Sequence, residues 1–422
     1  MPRRVFISVA EASGDQHAAQ LVLELRKMDP DIIVEGLGGR AMAQAGVMIH
    51  HDTVERAAMG LNGAFRYPEL RRVLRWSTRH FHEHRPDLLI CIDSWFSNWH
   101  LAKLASGLGI PVMYYIAPQM WASRPGRIKR LRQYVDRVAC ILPYEVQFFR
   151  DRQVEATFVG HPLFDTLPPA LQNDPAGRFP NRPPVIGLVP GSRSSVVKVN
   201  FRNMLEVADR VLAAYPQAKF LIPTMPVTHG LVQKALRARE ASYPPAAAAT
   251  DEGLERIGPF TFAPNRFDEL VRQCDLCITV SGTATLHVAG HGVPMIVVYR
   301  LNPLIWHLAA RWIVKTRTYS LVNLLNSGRH NIVPEFIPWY GSNVPVADKV
   351  LEYLRKPQLL IEQRDRLLQL IRGLHKPGAS RNAATLAMEL MTARATTMIP
   401  SPPSAHARSD DSLHHGGTPL ET

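Results

Sequence analysis

The amino-acid sequence predicts an α/β fold: two doubly wound, Rossmann-like domains facing a cleft. Short β-branched or apolar runs bounded by turn residues alternate with longer helical patterns, the sequence form of a parallel sheet with crossover helices. That series occurs twice, broken by a proline-rich passage, LPPALQNDPAGRFPNRPP at 167–184. The chain of 422 residues is also too long for one ordinary core and suits two domains of roughly 150 to 200 residues with a tail.

The first series contains VFISVA (5–10), IIVEGLG (32–38), LLICID (88–93), VMYYIA (112–117), VACIL (138–142) and ATFVG (156–160). Helical stretches such as 16–28 and 66–84 lie between these strands, and the series predicts an N-terminal domain over 1–170. VIGLVPG (185–191) restarts the pattern, followed by KFLIPT (219–224), a weaker strand at 257–262, LCITVSG (276–282) and PMIVVYR (294–300). This predicts a second domain over 184–345. The alanine and proline runs of 242–253 read as a loop. Residues 346–394 read as helices with charged faces, expected to complete the N-terminal domain, and 396–422, rich in Pro, Ser, Gly and His, as a disordered tail. No short fixed-period repeat is present, which excludes solenoids and propellers.

Hydrophobic residues make up 46% and charged residues 20% of the chain, an ordinary globular balance. Lys and Arg outnumber Asp and Glu by 49 to 36, a formal charge of +13 that favours anionic partners. Nucleic acid is set aside because no helix-turn-helix, zinc finger or other standard module is recognisable. Cys91, Cys140, Cys274 and Cys277 are too sparse for a disulfide scaffold. The single Cys-x-x-Cys lies in an apolar run and reads as a buried thiol pair, not a metal site. The apolar run before Glu11 spans only about six residues, short for a signal peptide or a membrane span, so a cytoplasmic location is expected.

In open α/β sheets ligands bind beyond the carboxyl ends of strands, and four loops there stand out. Glu11-Ala12-Ser13-Gly14-Asp15 precedes a helical pattern whose N-terminus would present free N–H groups to an anion. An ordinary turn capped by Ser13 or Asp15 explains it equally well. Gly191-Ser192-Arg193 combines a glycine turn with a guanidinium able to hold a diphosphate bidentately. Ser281-Gly282-Thr283-Ala284-Thr285 offers hydroxyls and N–H donors, against the plain alternative of a capped helix. The loop from Ala117 to Arg127 gathers Trp121, Arg124 and Arg127 and reads as a ligand rim.

In order, AEASGD (10–15), GLGGRAM (36–42), MG (59–60), APQMWASRPGRIKRL (117–131), YVDRVACILPYE (134–145), ATFVGHPLFD (156–165), LVPGSR (188–193), SGTATL (281–286), NLLNSGRHNIVPE (323–335) and PGASRNAA (377–384) make a colinear set. It resembles the signature of the bacterial lipid-A-disaccharide synthases, glycosyltransferases of the GT-B type. The resemblance extends from about residue 5 to about residue 385. It implies transfer of 2,3-diacylglucosamine from UDP onto 2,3-diacylglucosamine 1-phosphate, giving the β-1,6 disaccharide and UDP without metal or other cofactor. Its partners would be UDP-diacylglucosamine and a phosphorylated acyl-glucosamine lipid at the inner membrane, with a homodimer left open. Position by position, it places Gly191, Ser192, Arg193, Ser281, Gly282, Thr283, Thr285, His287, Asn323 and Glu335 on the donor side. Ser13, Gly14, Asn98, Trp121 and Arg124 fall on the acceptor side.

The chain departs from that signature at four acidic positions. Where the family usually reads Asp-Ala-Pro-Asp-Phe-Asn, this chain has Asp93-Ser94-Trp95-Phe96-Ser97-Asn98, so the family's candidate base is a phenyl ring that accepts no proton. Val196, Gly63 and His287 likewise stand where glutamates are usual, and His287 falls at the position that grips the ribose in related transferases. Asp93 becomes the first candidate base, with Glu11 and Asp15 behind it. Two further readings stay open on these substitutions: a different UDP-sugar reaction such as epimerisation, and a silent protein binding UDP-sugar or lipid. Finally, Pro303–Lys315 and 65–85 mix aromatic and basic residues as interfacial helices do. They are candidates for anionic lipid, against the commoner readings of a core helix and a solvated helix face.

Overall fold

The computed structural model describes residues 2–55, 66–117, 127–166, 179–244, 253–300, 318–326, 331–374 and 376–397. The N-terminal half runs β1 (Arg4–Ser8), α1 (Ala12–Met28), β2 (Ile33–Gly38), α2 (Arg40–Gln44), β3 (Met48–Asp52), α3 (Arg66–Glu83), β4 (Leu88–Ile92), α4 (Trp95–Gly107), β5 (Val112–Tyr115), α5 (Ile128–Tyr134), β6 (Arg137–Cys140), α6 (Pro143–Arg150), β7 (Ala156–Phe158) and α7 (Leu163–Thr166). The second half continues with β8 (Val185–Val189), α8 (Ser194–Ala214), β9 (Lys219–Thr224), α9 (Pro226–Arg237), β10 (Glu255–Ile257), β11 (Phe260–Pro264), α10 (Phe267–Arg272), β12 (Leu276–Val280), α11 (Thr283–Gly290), β13 (Met295–Arg300), α12 (Leu321–Leu325) and β14 (Glu335–Trp339). The helices α13 (Val344–Arg355), α14 (Pro357–Leu374) and α15 (Ala379–Thr397) follow.

Each half holds a seven-stranded sheet, ordered β3-β2-β1-β4-β5-β6-β7 and β10-β11-β9-β8-β12-β13-β14. All pairings are parallel except β10 with β11. The central strands β4 (LLICI) and β12 (LCITV) are buried at every position, as strands with helices on both faces must be. The four cysteines are free and buried.

Two strands that the residue pattern did not announce lie at or next to edges. β3 reads MIHHD and is mostly half-buried, so it lacks the apolar run of a central strand. β14 carries Pro338, tolerated because a proline's missing N–H costs no ladder bond on an edge.

Packing corrects the expectation that the helices of 346–394 complete the N-terminal domain. Val346, Val350 and Leu354 of α13 share a core with Val197, Phe201 and Leu205 of α8, and Leu367 and Ile371 of α14 join Leu286 and Val293. α15 returns to the first half, where Ala383, Ala384 and Ala387 pack with Val5, Ile7, Leu21 and Leu25. Its small alanine face permits that close approach to α1. Asp165, from the end of the N-terminal half, accepts hydrogen bonds from the N–H groups of Gly378, Ala379 and Ser380 at 2.9, 2.9 and 3.0 Å. These satisfy free donors at the start of α15.

Candidate active site

Each sheet reverses its strand order once, between β1 and β4 in the first half and between β8 and β12 in the second. Such switch points open the crevice in which doubly wound folds bind ligands. The turns after these four strands are those of Glu11, Asp93, Arg193 and Thr283.

At the first switch point the chain leaves β4 through Asp93, whose φ of +53° lies in the left-handed region that costs an L-residue roughly 1–2 kcal/mol. Side chains hold this turn from beneath. Tyr114 Oη donates to the Asp93 carbonyl at 2.5 Å, and Asn98 Nδ2 donates to the carbonyls of Ile92 at 2.9 Å and Asp93 at 3.5 Å. Asn98 Oδ1 in turn accepts from Ser8 Oγ at 2.8 Å. Gly14 is buried in the first turn of α1, where a Cβ would stand 2.8 Å from Val9 Cγ1 and 3.8 Å from Asp93 Cβ. Its missing side chain lets the helix start press against this turn. Burial pushes the Asp93 carboxyl up to about 6, the nearby Glu11 carboxylate adds to the rise, and Arg193 pulls against it.

The second switch point is built from backbone. Gly191 has φ +105°, and a Cβ there would meet Val196 and Val280 side chains at 3.1 Å. Glycine is therefore favoured by the conformation, and a side chain would also be crowded there. Ser192 and Arg193 are exposed, and α8 begins at Ser194 with no side-chain cap on its free N–H groups. Gly282 has φ +150°, with open space where a Cβ would be. Exposed Thr283 starts α11, again without a side-chain cap. Two helix N-termini and a guanidinium thus offer donors for an anion.

The two switch points meet. Arg193 Nη2 lies 3.0 Å from Glu11 Oε2, a contact between residues 182 positions apart. The side chains are 70% and 38% exposed, so the pair contributes little to stability and is free to exchange its carboxylate for another anion.

The structure assigns several expected site residues to supporting positions. Asp15 is buried, and its carboxylate accepts from the N–H groups of Gly39 and Ala41 at 2.8 Å each and Met42 at 3.3 Å. It caps α2, so it is not a free base. Asn98 is fully buried with its amide committed to the Asp93 turn, so it positions that turn and does not line the acceptor side. Thr285 is buried, its Oγ1 donating to the Gly282 carbonyl at 2.8 Å. Glu335 accepts from the N–H groups of Tyr319 and Ser320, from Ser320 Oγ and from Asn323 Nδ2, at 2.6 to 3.0 Å. The Tyr319 carbonyl accepts from Ser281 Oγ at 2.8 Å. Asn323 and Glu335 therefore brace the Ser281 loop from behind. His287 Nε2 is turned to Asp268 Oδ1, 2.6 Å away, and its ring stacks on Phe267, so it is directed at α10.

Ser13 is exposed beside Gly14. Val196 is half-buried against Gly191. Phe96 lies in the first turn of α4. Gly63, Trp121, Arg124 and the Pro303–Lys315 stretch lie outside the described residues. Arg71, Arg72, Arg75 and Arg79 of α3 are exposed, whereas Phe81 is buried and Trp76 half-buried. Sequence reasoning missed Tyr114, Ser8 and Tyr319. A tyrosine inside the VMYYIA run was the one available signal, because a buried hydroxyl needs a partner.

A profile of the lipid-A-disaccharide synthetase family matches residues 5–390. The chain is 34% identical to the lipid-A-disaccharide synthase of Geobacter sulfurreducens over 393 residues, covering 92% of this chain and 97% of that one. It is 33% identical to the same-named protein of Myxococcus xanthus over 402 residues, covering 92% and 98%. Among solved structures it resembles a UDP-GlcNAc 2-epimerase from Neisseria meningitidis bound to UDP-GlcNAc, with TM-score 0.59 and 12% identity over 93% of this chain and 100% of the other. It also resembles MurG of Acinetobacter baumannii, with TM-score 0.55 and 15% identity over 92% and 100%. At such identities these likenesses show the fold, which is of the GT-B type.

Proposed function

This chain belongs to the lipid-A-disaccharide synthase family and is a glycosyltransferase, and on that premise we propose how its two switch points divide the reaction. The donor, UDP-2,3-diacylglucosamine, binds at the second switch point. Arg193, Gly191, Ser192 and the 281–283 turn hold its diphosphate there. The acceptor, 2,3-diacylglucosamine 1-phosphate, presents its 6-hydroxyl to Asp93. Asp93 takes the hydroxyl proton as the oxygen attacks the anomeric carbon, the bond to the diphosphate breaks, and UDP leaves with the electron pair. Direct displacement inverts the anomeric centre. Donors aimed at the departing diphosphate lower the barrier as charge develops there.

One observation carries this reading: the Arg193–Glu11 contact, which sets an anion-binding turn beside the turn of a half-buried carboxyl. Asp93 suits the role that Phe96 cannot fill, because a carboxyl poised near 6 is ionised at neutral pH yet basic enough to accept a proton. Ser13 and the Trp121 and Arg124 rim are assigned to the acceptor.

We further assign the protein to the cytoplasmic face of the inner membrane as a peripheral protein. Support comes from the formal charge of +13 and the exposed arginines of α3. Among the described residues no helix is long and apolar enough to cross a membrane. The defining experiment incubates purified protein with both acylated sugars and follows UDP and disaccharide. Both should appear in equal amounts, and UDP without disaccharide, or no turnover with intact folding, would overturn the assignment.

A further inference from the structure

Among the described residues two groups each bring histidine and carboxylate donor atoms within 4.8 Å of one another, Glu35–His50–His80 in the first half and Asp268–His287–His291 in the second. They differ in charge balance. Glu35 is almost fully buried and already has a permanent cation, Arg4 Nη1 at 3.1 Å, with His50 and His80 at 3.0 and 3.1 Å. A metal ion there would face a guanidinium. Asp268 meets two imidazoles, His287 Nε2 at 2.6 Å and His291 Nε2 at 2.7 Å, both on Oδ1, and the Arg272 guanidinium acts on His291 through space and not on the carboxylate itself.

The local geometry favours a shared ion. His287 on α11 and His291, the residue that caps its C-terminus, are four residues apart, the spacing by which a helix turn presents two imidazoles to one metal. Their rings are nearly parallel, 20° apart with centroids 5.5 Å from each other, and both bring Nε2 to the same oxygen of Asp268. Phe267 stacks on the His287 ring at 4.3 Å and fixes its orientation. His291 makes a hydrogen bond to Asp268. The buried Nε2 of His287 makes no aligned hydrogen bond despite its 2.6 Å separation from the same carboxylate oxygen.

We propose that Asp268, His287 and His291 form a binding site for a divalent transition-metal ion of the zinc class, tying α10 to α11. Two nitrogens and one oxygen are the donor set of a three-residue zinc site, which leaves a fourth position for water or another ligand. Tetrahedral bonds of about 2.0 Å set donors about 3.3 Å apart. Asp268 therefore has to withdraw by a little over half an ångström, roughly, and its side chain is 44% exposed. The ion would tether the second turn of the helix whose N-terminus carries Thr283. This inference is independent of which sugar is transferred.

The test is Zn²⁺ binding by the full-length, metal-stripped chain, read by equilibrium dialysis and by the unfolding midpoint with and without Zn²⁺. Asp268→Asn and His287→Gln are the informative variants, because both side chains are partly exposed whereas His291 is buried. His50→Gln is the control for the other cluster. Wild type and His50→Gln should each hold about one Zn²⁺ at this site and unfold at higher temperature when it is present. Asp268→Asn and His287→Gln should lose that equivalent, with affinity falling by more than the ~10–100-fold that loss of a metal's outer-sphere partner costs. Their metal-free midpoints should match wild type. Binding that survives in both variants, or Zn²⁺ uptake lost only in His50→Gln, overturns the proposal. So does no uptake by wild type.

Discussion

The two switch points share one topology and carry opposite chemistry. The crevice after β1 and β4 holds carboxyl groups, one of them in a left-handed turn propped by Tyr114 and Asn98. The crevice after β8 and β12 holds glycine turns, two uncapped helix starts and a guanidinium. The first is built by buried side chains and presents carboxyl groups; the second is built by exposed backbone and presents donors of the kind that hold anions. A doubly wound fold thus supplies two equivalent ledges, and the few residues after each strand decide what each ledge does.

The largest test of this contrast is Asp93→Asn, which leaves the turn's backbone partners in place but removes the proton acceptor. Turnover should fall by about 10²–10⁴ with donor affinity unchanged, measured as UDP release against donor concentration. In wild type, kcat/KM should drop about tenfold per pH unit on the acid side of pH 6, since Asp93 titrates at about 6 and must be ionised. An unchanged acid limb in the variant would break the assignment of the base.

Arg193→Ala should act on the other ledge. Losing a donor to the departing diphosphate costs about 10²–10³ in kcat and weakens UDP binding. Unfolding should change by no more than about 0.5 kcal/mol, because the ion pair with Glu11 is exposed. If Arg193→Ala left UDP affinity intact, the diphosphate would not sit on this turn.

Stability should expose the same asymmetry with the opposite sign. Because the folded-state carboxyl of Asp93 titrates above its ordinary 3.8, its stabilising contribution belongs to the protonated form. That contribution is full below pH of about 4 and is lost as pH rises through about 6. The complete shift corresponds to roughly 3 kcal/mol, and partial exposure lowers this to about 2 kcal/mol. Asp93→Asn should therefore be more stable than wild type at pH 7.5 by about 2 kcal/mol, with the gap closing near pH 4. Denaturant melts at both pH values decide it.

The smallest effect sharpens the role of the prop. Tyr114→Phe removes the hydroxyl bonded to the Asp93 carbonyl, and should cost about 1 kcal/mol of stability. It should lower kcat with donor KM unchanged. A matching fall in donor affinity would mean that the two ledges are not separable.

Much of the fold was legible because its cause is local. β-branched runs such as LLICI and LCITV can be buried on both faces, and the Pro-rich break at 167–184 separates two such series. The edge strands β3 and β14 were not legible, since MIHHD and EFIPW lack that pattern. The destination of the C-terminal helices was hidden too, because the apolar stripe of α13 fits either sheet until α8 is in place.

The amino-acid order by itself determined which turns follow which strands, and so selected Glu11, Asp93, Gly191, Arg193 and Gly282 as residues at strand ends. Tertiary packing alone decided the fate of each polar group among them. Asp15 became a cap because the N–H groups of Gly39 and Ala41 lie within reach, Asn98 a prop because Ser8 faces it, and His287 a partner of Asp268. A carboxylate or imidazole carries the same bonding capacity wherever it occurs. Only neighbours brought from distant parts of the chain determine whether that capacity is spent inside the protein or left open for a substrate.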